Sequence, residues 1–355
     1  MHVLHLTIPF EYACGISRHV WCLARIQARR HRVTVATSGG SALEILEPDG
    51  VPWVRAPIDP AEKSLFNVAR AIGSLRRYVR DEEVSVIHAH HRYHAVLARA
   101  ISLLGRRVVV VATCHYVDGR TRLVNYPVTR IIAVSQATRR YLRAHLDVPE
   151  DRITVIPHCL PPPLPVIDEI DARLSDTARP LVVSIGRLSP EKGFETFVRA
   201  MALLRTDPQK PRGVVVGDGP LRTYLERLAA EIQSPLIFTG SVRGAQPYLA
   251  RATIVVQPSL AETASLTVLE AGAYGRAVIA TNVGGLPETI RNEETGLVVP
   301  PGDYEALALA IATLLGDEEL RTRLGSALQH AVKPRLDPGP MVEAVVRVYA
   351  AAGAV

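Results

Sequence analysis

Short apolar stretches alternate with amphipathic stretches along almost the whole chain of 355 residues. The apolar stretches are rich in valine and isoleucine, as is typical of strands that are buried on both faces. The amphipathic stretches have the period of helices. Because helices connect parallel strands, the alternation predicts an α/β fold in which parallel sheets are flanked by helices. The predicted strands are residues 3–8, 33–36, 84–88, 108–113, 131–134 and 154–156 in the first half, and 181–185, 213–216, 236–239, 254–257 and 277–281 in the second.

The chain is too long for most single hydrophobic cores, which rarely grow beyond about 250 to 300 residues. Residues 157–165 are rich in proline and run into a polar, acidic stretch that ends near Arg179, which is typical of a stiff linker. We therefore expect an N-terminal domain in residues 1–165, a C-terminal domain in residues 166–340 and a final helix in residues 341–355.

The composition predicts a globular cytoplasmic protein. Hydrophobic residues make up 48% of the chain, but no apolar run approaches the length of about 18 residues that suggests a membrane helix. The N-terminal sequence is interpreted as a first strand and not as a signal peptide. Four cysteines, Cys14, Cys22, Cys114 and Cys159, have neither the spacing of a metal site nor that of a disulfide framework, which favours a reducing compartment.

Positive charge is concentrated in the first half of the chain. Up to residue 170 there are 22 basic and 15 acidic residues, and after it 19 basic and 20 acidic residues. An acidic acceptor or an anionic lipid surface would suit the basic half, although arginines on solvated helix faces are the commoner explanation. Nucleic acid is not an expected partner, because the chain is only 5% aromatic and contains no recognisable nucleic-acid module.

Two glutamates, Glu262 and Glu270, lie eight positions apart across a predicted strand, loop and helix. Glu262 follows the carboxyl end of the strand, and Glu270 is expected about two turns into the helix. A loop carboxylate can accept hydrogen bonds from ligand hydroxyls, while the helix N-terminus favours an anion. For either glutamate alone, a helix cap or a solvated face would be a sufficient explanation.

Two cations, Arg187 and Lys192, lie in one predicted loop between a strand and a helix. Lysine is scarce in this chain, since only four of the 41 basic residues are lysine. Two cations beside a helix N-terminus suit a diphosphate.

These loops and several other segments resemble the retaining, nucleotide-sugar-dependent glycosyltransferases of family four. The resemblance covers nearly the whole chain and is more specific in the C-terminal half. The segments in that half are GRLSPEKG (186–193), VVVGDGPLRTYLERL (214–228), ATNVGGLPETI (280–290) and GLVVPPGD (296–303). Those in the N-terminal half are VIHAHH (86–91), RIIAVSQATRRYL (130–142) and DRITVIPHCL (151–160).

The resemblance implies the GT-B architecture, in which two Rossmann-like domains face each other across an interdomain cleft and a final helix crosses back onto the N-terminal domain. It implies a nucleotide diphosphate sugar of the UDP or GDP type as donor. The acceptor would be a hydroxyl compound bound by the N-terminal domain. The positive charge of that half, and not the resemblance, favours an acceptor that is lipid-linked or acidic, with peripheral contact to a membrane.

The resemblance also implies roles for individual residues. Arg187 and Lys192 would neutralise the diphosphate, Glu270 would hold the ribose, and Glu262 and His115 would contact the sugar. The implied catalytic residues are His115, Glu262, Arg187 and Lys192. The implied donor-binding residues are Gly15, Arg187, Lys192, Val242, Glu262, Thr263, Ala264, Ser265, Leu266 and Glu270. Because basic side chains would serve the diphosphate, we expect no metal and no other cofactor.

A run of histidines begins at the last residue of the third predicted strand. It contains His88, His90, His91 and His94. His90 and His94 could share a helix face and bind a metal. The resembling family carries histidines here without a metal, which favours the metal-free interpretation.

The sequence departs from the family pattern at three places. It has Cys14-Gly15 where a glycine pair is usual, Ala264-Ser265 in place of an aromatic-glycine pair, and His158-Cys159 in place of Asn-Gly. These departures affect the loops expected to touch the donor, so the donor base, the sugar and the acceptor stay open.

Other functions are compatible with the same architecture. A nucleotide-sugar epimerase would act without an acceptor, a glycan phosphorylase would need phosphate, and a degenerate subunit would only bind glycan. Retention of Arg187, Lys192, Glu262 and Glu270 argues against the degenerate subunit. A dinucleotide dehydrogenase is disfavoured, because the turn at residues 217–220 lacks the third glycine of that fingerprint.

Overall fold

The computed structural model of the protein describes residues 1–117, 126–164, 168–174 and 178–354. The strands are β1 (His2–Leu6), β2 (Arg32–Thr37), β3 (Trp53–Arg55), β4 (Val86–Ala89), β5 (Val109–Cys114), β6 (Arg130–Ala133), β7 (Ile153–Val155), β8 (Leu181–Ile185), β9 (Arg212–Val216), β10 (Leu236–Gly240), β11 (Ile254–Gln257), β12 (Ala277–Thr281) and β13 (Leu297–Val299). The helices are α1 (Gly15–Gln27), α2 (Leu65–Asp81), α3 (Arg92–Leu104), α4 (Gln136–Leu146), α5 (Phe194–Leu203), α6 (Arg222–Glu231), α7 (Gln246–Arg251), α8 (Leu266–Ala273), α9 (Tyr304–Gly316), α10 (Glu318–Val332) and α11 (Gly339–Ala351).

The chain divides into two units, each with its own sheet. Unit 1 contains Met1–Pro163 and the described residues from Asp337 onward, and unit 2 contains Leu164–Leu336. The expected boundary at residue 165 falls in the segment 165–167, which lies outside the described residues.

Unit 1 contains a parallel sheet of seven strands among its described residues. Their order is β3-β2-β1-β4-β5-β6-β7. The central strands are buried on both faces, which explains their continuous apolar sequences. One core cluster contains residues of α2, α3 and α4.

The last helix, α11, packs within unit 1. Its residues Val345 and Tyr349 are fully or almost fully buried and share a cluster with Val3 of β1 and Leu23 of α1. The same face of the sheet brings Cys22 Sγ within 3.6 Å of Cys159 Sγ. All four cysteines are free thiols.

Unit 2 contains a second parallel sheet, with six strands among its described residues. Their order is β10-β9-β8-β11-β12-β13. Its core joins the sheet to the apolar faces of α5, α6, α9 and α10. The two units therefore confirm the predicted α/β class with parallel sheets.

Two short strands were missed by the sequence prediction. β3 and β13 are each three residues long, and both lie at a sheet edge. Their sequences are too short to carry a period, so only their pairing with a neighbour identifies them. Within the described residues, no helix has both the length and the apolar character that crossing a bilayer requires.

Candidate functional site

In unit 2 the loops that follow β8 and β11 lie side by side at the carboxyl ends of these neighbouring strands. β8 pairs with β9 on one side and with β11 on the other, so the strand order reverses at this point. In open parallel sheets, ligands bind beyond the carboxyl ends of the strands at such a switch point. The two loops that the sequence analysis selected, residues 186–193 and 258–265, both begin there.

An ion pair joins these two loops. Lys192 Nζ lies 2.6 Å from Glu262 Oε2, and the two side chains are 26% and 7% exposed. Ser259 Oγ donates a second hydrogen bond to the same carboxylate oxygen, at 3.3 Å. From the sequence, Lys192 was assigned to the diphosphate and Glu262 to the sugar, and their contact with each other was not predicted.

Backbone hydrogen bonds hold the two loops close together. The amides of Leu260 and Ala261 both donate to the carbonyl of Glu191, at 2.8 and 3.0 Å. Gly193 has a positive φ of 65°, and a Cβ at this position would lie 2.0 Å from the carbonyl oxygen of Pro258. Only glycine therefore allows this approach, and the approach is what sets the position of Lys192.

Arg187 lies in the same loop as Lys192 but has a different environment. Its side chain is exposed, and among the described residues the guanidinium has no hydrogen bond or ion pair. The turn after β9 supports the loop, because the amide of Leu188 donates to Asp218 at 2.9 Å and a Cβ on Gly219 would lie 2.6 Å from the Leu188 carbonyl oxygen. The turn at residues 217–220 thus supports the loop at residues 186–193, which carries Arg187 and Lys192.

The N-terminus of α8 follows Glu262. Ser265 is the N-cap and accepts a hydrogen bond from the amide of Val268, at 3.3 Å, and its hydroxyl donates to Gln257 Oε1 at 3.2 Å. The serine that departs from the family pattern therefore caps the helix. Glu270 is buried and lies one turn into α8, so the expectation of two turns was wrong because the helix begins at Leu266.

The other predicted donor contacts lie at different places. Thr263 is buried, and Ala264 and Leu266 are half-buried, beside the N-terminus of α8. Val242 follows β10, which β9 separates from β8 in the sheet. Gly15 is exposed and begins α1 in unit 1, where Cys14 is an N-cap whose side chain makes no capping hydrogen bond.

Unit 1 has its own switch point, because β1 lies between β2 and β4. Six histidines gather at the carboxyl end of this sheet. His5 and His88 are direct partners on β1 and β4, and the others come from α1 and from segments that follow β4, β5 and β7. The six are His5, His19, His88, His90, His115 and His158.

Four polar side chains of unit 1 form one directional chain of hydrogen bonds. The chain begins at Gln27, passes through His5 and His90, and ends at His115. Gln27 Nε2 donates to the hydroxyl of Tyr349 at 3.2 Å, so Gln27 Oε1 accepts from His5 Nε2 at 2.9 Å. His5 Nδ1 then accepts from His90 Nε2 at 2.9 Å, and His90 Nδ1 accepts from His115 Nε2 at 3.1 Å. With this assignment of protons, Nδ1 is the acceptor nitrogen of His115.

Five of the six histidine rings have pKa values that favour the neutral form near pH 7. Burial lowers the pKa of His5 to about 4. Burial, together with the neighbouring imidazoles, also lowers the pKa values of other rings well below the usual histidine range. Those rings are His19, His88, His90 and His115.

A pocket of about 370 Å³ opens onto the histidines of unit 1. His90 and His115 line it together with two cationic side chains, Lys63 and Arg92. The remaining polar lining is largely tyrosine. The tyrosines are Tyr93, Tyr116, Tyr126 and Tyr141.

The structure contradicts the pairing of His90 with His94 on one helix face. His90 precedes α3, whereas His94 lies inside it and donates from Nε2 to the carbonyl of Ile58, at 2.8 Å. His91 is the N-cap of α3 and accepts from the amide of Tyr93. His5 and His19 were not among the predicted site residues, although a histidine inside an apolar strand was a signal for His5.

Two family models match the chain on either side of the linker. The model described as Glycosyltransferase Family 4 matches residues 13–162, and the model described as Glycosyl transferases group 1 matches residues 179–317. Together they account for most of the sequence. The chain belongs to the family four group of glycosyltransferases. This confirms the predicted family.

Curated relatives match this chain over only part of their own length. The sulfoquinovosyl transferase of Arabidopsis thaliana is 36% identical over 167 residues, which are 45% of this chain and 31% of that protein. An uncharacterised glycosyltransferase of Methanocaldococcus jannaschii is 28% identical over 64% of this chain and 61% of its own length. A GDP-mannose-dependent phosphatidylinositol monomannoside mannosyltransferase of Mycobacterium tuberculosis is 36% identical over 42% of each chain. The chain thus spans less than two thirds of these relatives.

Solved structures match over nearly the whole chain. HepE of Anabaena, in complex with UDP and glucose, has a TM-score of 0.83 at 20% identity and covers 98% of this chain and 99% of its own. The sucrose-phosphate synthase of Thermosynechococcus elongatus has a TM-score of 0.82 at 23% identity and covers 99% and 98%. These similarities confirm the GT-B fold.

Proposed function

We propose that this glycosyltransferase moves a sugar from a nucleotide diphosphate sugar of the UDP or GDP type to a hydroxyl acceptor, with retention of the anomeric configuration. The observation that carries the proposal is the ion pair of Lys192 and Glu262 at the switch point of unit 2. It joins a cation suited to phosphate to a carboxylate suited to sugar hydroxyls. The exposed Arg187 adds a second cation in the same loop.

The ion pair suggests how the donor binds. Oxygens of the diphosphate would replace Glu262 as the partner of Lys192, and the released carboxylate would accept hydrogen bonds from sugar hydroxyls. One charge-assisted contact is exchanged for others, so neither charged group is left without a partner. Glu270, one turn into α8, would hold the ribose.

The chemical step needs no nucleophile from the protein. The bond from the anomeric carbon to the diphosphate oxygen breaks, and a bond from the acceptor oxygen to that carbon forms on the same face. The acceptor proton passes to the departing phosphate oxygen, which leaves a nucleoside diphosphate. Arg187 and Lys192 would stabilise the charge that grows on the diphosphate, so no metal is required there.

The pocket of unit 1 supports an acceptor that carries both hydroxyls and an acidic group. Lys63 and Arg92 provide positive charge, and the tyrosines provide flat faces for sugar rings. The hydrogen-bond chain from Gln27 holds His115 as a neutral ring with Nδ1 as acceptor. Because His115 lines the pocket, this ring would contact the substrate there.

The first turn of α2 supports peripheral contact with a membrane, and with it a lipid-linked acceptor on the cytoplasmic face. Leu65 and Phe66 are 91% and 68% exposed. The exposed side chains of Arg70, Arg76 and Arg77 follow on the same helix. Apolar side chains beside basic residues are typical of helices that lie on anionic lipid. The mycobacterial relative is named for a phosphatidylinositol acceptor, which agrees with this choice.

The proposal is tested with a panel of UDP and GDP sugars. A donor present at 100 times its dissociation constant adds about 2.7 kcal/mol to the free energy of unfolding, so thermal shifts identify it. Transfer is then measured by mass spectrometry with hydroxyl acceptors, and the anomeric configuration of the product by NMR. Conversion of the donor without an acceptor would point to an epimerase, dependence on phosphate would point to a phosphorylase, and inversion would refute retention.

A further inference from the structure

Three histidines of unit 1 bring ring nitrogens together from three different elements. His19 lies on α1, His90 follows β4 and His115 follows β5. Each offers one nitrogen, and the three atoms lie within 4.8 Å of one another. His90 Nδ1 and His115 Nε2 are 3.1 Å apart. In a tetrahedral site with metal–nitrogen bonds of about 2.0 to 2.1 Å, ligand nitrogens lie roughly 3.4 Å apart, so these two rings need only a small adjustment.

His19 supplies the second observation. The residue is 5% exposed, and its Nε2 is buried with no hydrogen-bond partner among the residues that the structure describes. Nδ1 of the same ring lies 3.1 Å from His158 Nδ1, so Nε2 is the atom that His19 has left to offer. A buried polar atom without a partner is unusual in a folded protein, and a bound ion would supply the missing interaction.

We infer that His19, His90 and His115 bind a divalent transition-metal ion such as Zn²⁺, with the fourth position open to water or substrate. Neutral imidazole is a preferred ligand of zinc, cobalt, nickel and copper, whereas magnesium and calcium prefer oxygen. His158 would orient the ring of His19 from outside the coordination sphere.

A second group of three histidines, His5, His88 and His90, is the poorer site. His5 contacts His90 and Gln27, and His88 contacts Tyr349 and Thr113, so both nitrogens of each ring are already in hydrogen bonds. A metal there would displace several of these bonds. The observations therefore favour the group that contains His19.

Metal binding requires one proton to move within the ring of His115. In the hydrogen-bond chain His115 Nε2 carries the proton that His90 Nδ1 accepts. Before the two nitrogens can bind a metal, this proton must leave His115 Nε2 and the hydrogen bond between the two rings must break. The His115 proton moves to Nδ1, and the ring stays neutral. The bound metal and the His90–His115 hydrogen bond are thus alternatives, and the metal changes His115 Nδ1 from an acceptor into a donor.

The test uses untagged protein and Co²⁺, whose visible absorption reports tetrahedral coordination by nitrogen. Titration should show one saturable site, Zn²⁺ should displace the Co²⁺, and Mg²⁺ should not compete. His19→Gln and His90→Gln should each weaken Co²⁺ binding by about 100-fold or more, since even indirect partners of a metal ligand are worth about 10- to 100-fold. Circular dichroism without metal checks that each variant is folded.

The matched control is the double variant His145→Gln/His330→Gln, which removes two exposed histidines outside the cluster. It should bind Co²⁺ as the unchanged protein does. Loss of binding only in this control would assign the ion to surface histidines and overturn the inference. The absence of a saturable tetrahedral Co²⁺ signal in the unchanged protein would overturn it as well, whatever the variants do. All these readouts are independent of glycosyl transfer.

Discussion

Replacing Lys192 by alanine separates a role in binding phosphate from a role in holding Glu262. The substitution removes a charge-assisted contact to the diphosphate, which is typically worth about 1.5 to 3 kcal/mol. At about 1.4 kcal/mol per factor of ten, the affinity for UDP or GDP should fall by about 10- to 150-fold. Calorimetry with the free nucleoside diphosphates measures this.

The same change affects stability, because the Glu262 side chain is only 7% exposed and the pair is 2.6 Å long. Removing one partner of a buried pair costs about 3 to 5 kcal/mol. Lys192 is 26% exposed, so solvent screening reduces the expected loss to about 1 to 3 kcal/mol. Urea unfolding of Lys192→Ala measures the loss.

A double variant, Lys192→Ala/Glu262→Gln, decides between the two roles. Removing the unpaired carboxylate should restore much of the stability, but it should leave nucleotide binding weak because the cation is still missing. Lys333→Ala is the matched control, since it removes an exposed lysine from the same unit. Unchanged nucleotide affinity in Lys192→Ala, or recovery of affinity in the double variant, would refute the assignment of Lys192 to phosphate.

Three further predictions concern the sugar, the pH and the membrane. Glu270→Ala should weaken binding of both the donor and the free nucleoside diphosphate, whereas Glu262→Gln should leave the affinity for the free nucleotide unchanged and chiefly reduce turnover. An equal loss of nucleotide affinity in the two variants would place Glu262 away from the sugar. Burial lowers the pKa of His5 to about 4, so as the pH falls His5 is protonated in the unfolded chain before it is protonated in the folded protein. The free energy of unfolding should therefore decrease as the pH falls from about 6.5 to about 4. This one histidine should contribute a loss of about 1.4 kcal/mol per pH unit. His5→Gln should reduce that loss in urea titrations at pH 7 and pH 5, and an unchanged slope would contradict the reasoning. Leu65→Ser/Phe66→Ser should weaken binding to anionic vesicles, and salt should weaken it too, since the Debye length falls from about 10 Å at 0.1 M to about 3 Å at 1 M; equal partitioning to neutral vesicles would exclude the membrane contact.

The sequence predicted the class of fold because strand and helix patterns are local. The apolar strands around Ile254 and Leu181 could be located without any knowledge of their neighbours. The edge strands β3 and β13 could not, since three residues carry no period and become strands only through pairing. The start of α8 was also decided by a contact, the capping of the helix by Ser265.

The candidate site was predictable in its parts. Arg187 and Lys192 were selected because two cations beside a helix N-terminus suit a diphosphate. Glu262 was selected because it is paired with Glu270 across a predicted strand, loop and helix. The structure places Arg187, Lys192 and Glu262 at one switch point of unit 2. His115 was selected for its position after a strand. The functions of these residues stay predictions that the proposed experiments test.

What the sequence by itself determined is the alternation of strands and helices, the family, and the residue types in each loop. What only the tertiary structure decided is which loops lie side by side. Lys192 and Glu262 are 70 residues apart in the chain, and His5 and His90 are 85 residues apart. Their contacts depend on β8 pairing with β11 and β1 pairing with β4. The order of strands in a sheet is set by packing of the whole core, so no local pattern could have shown that these side chains meet.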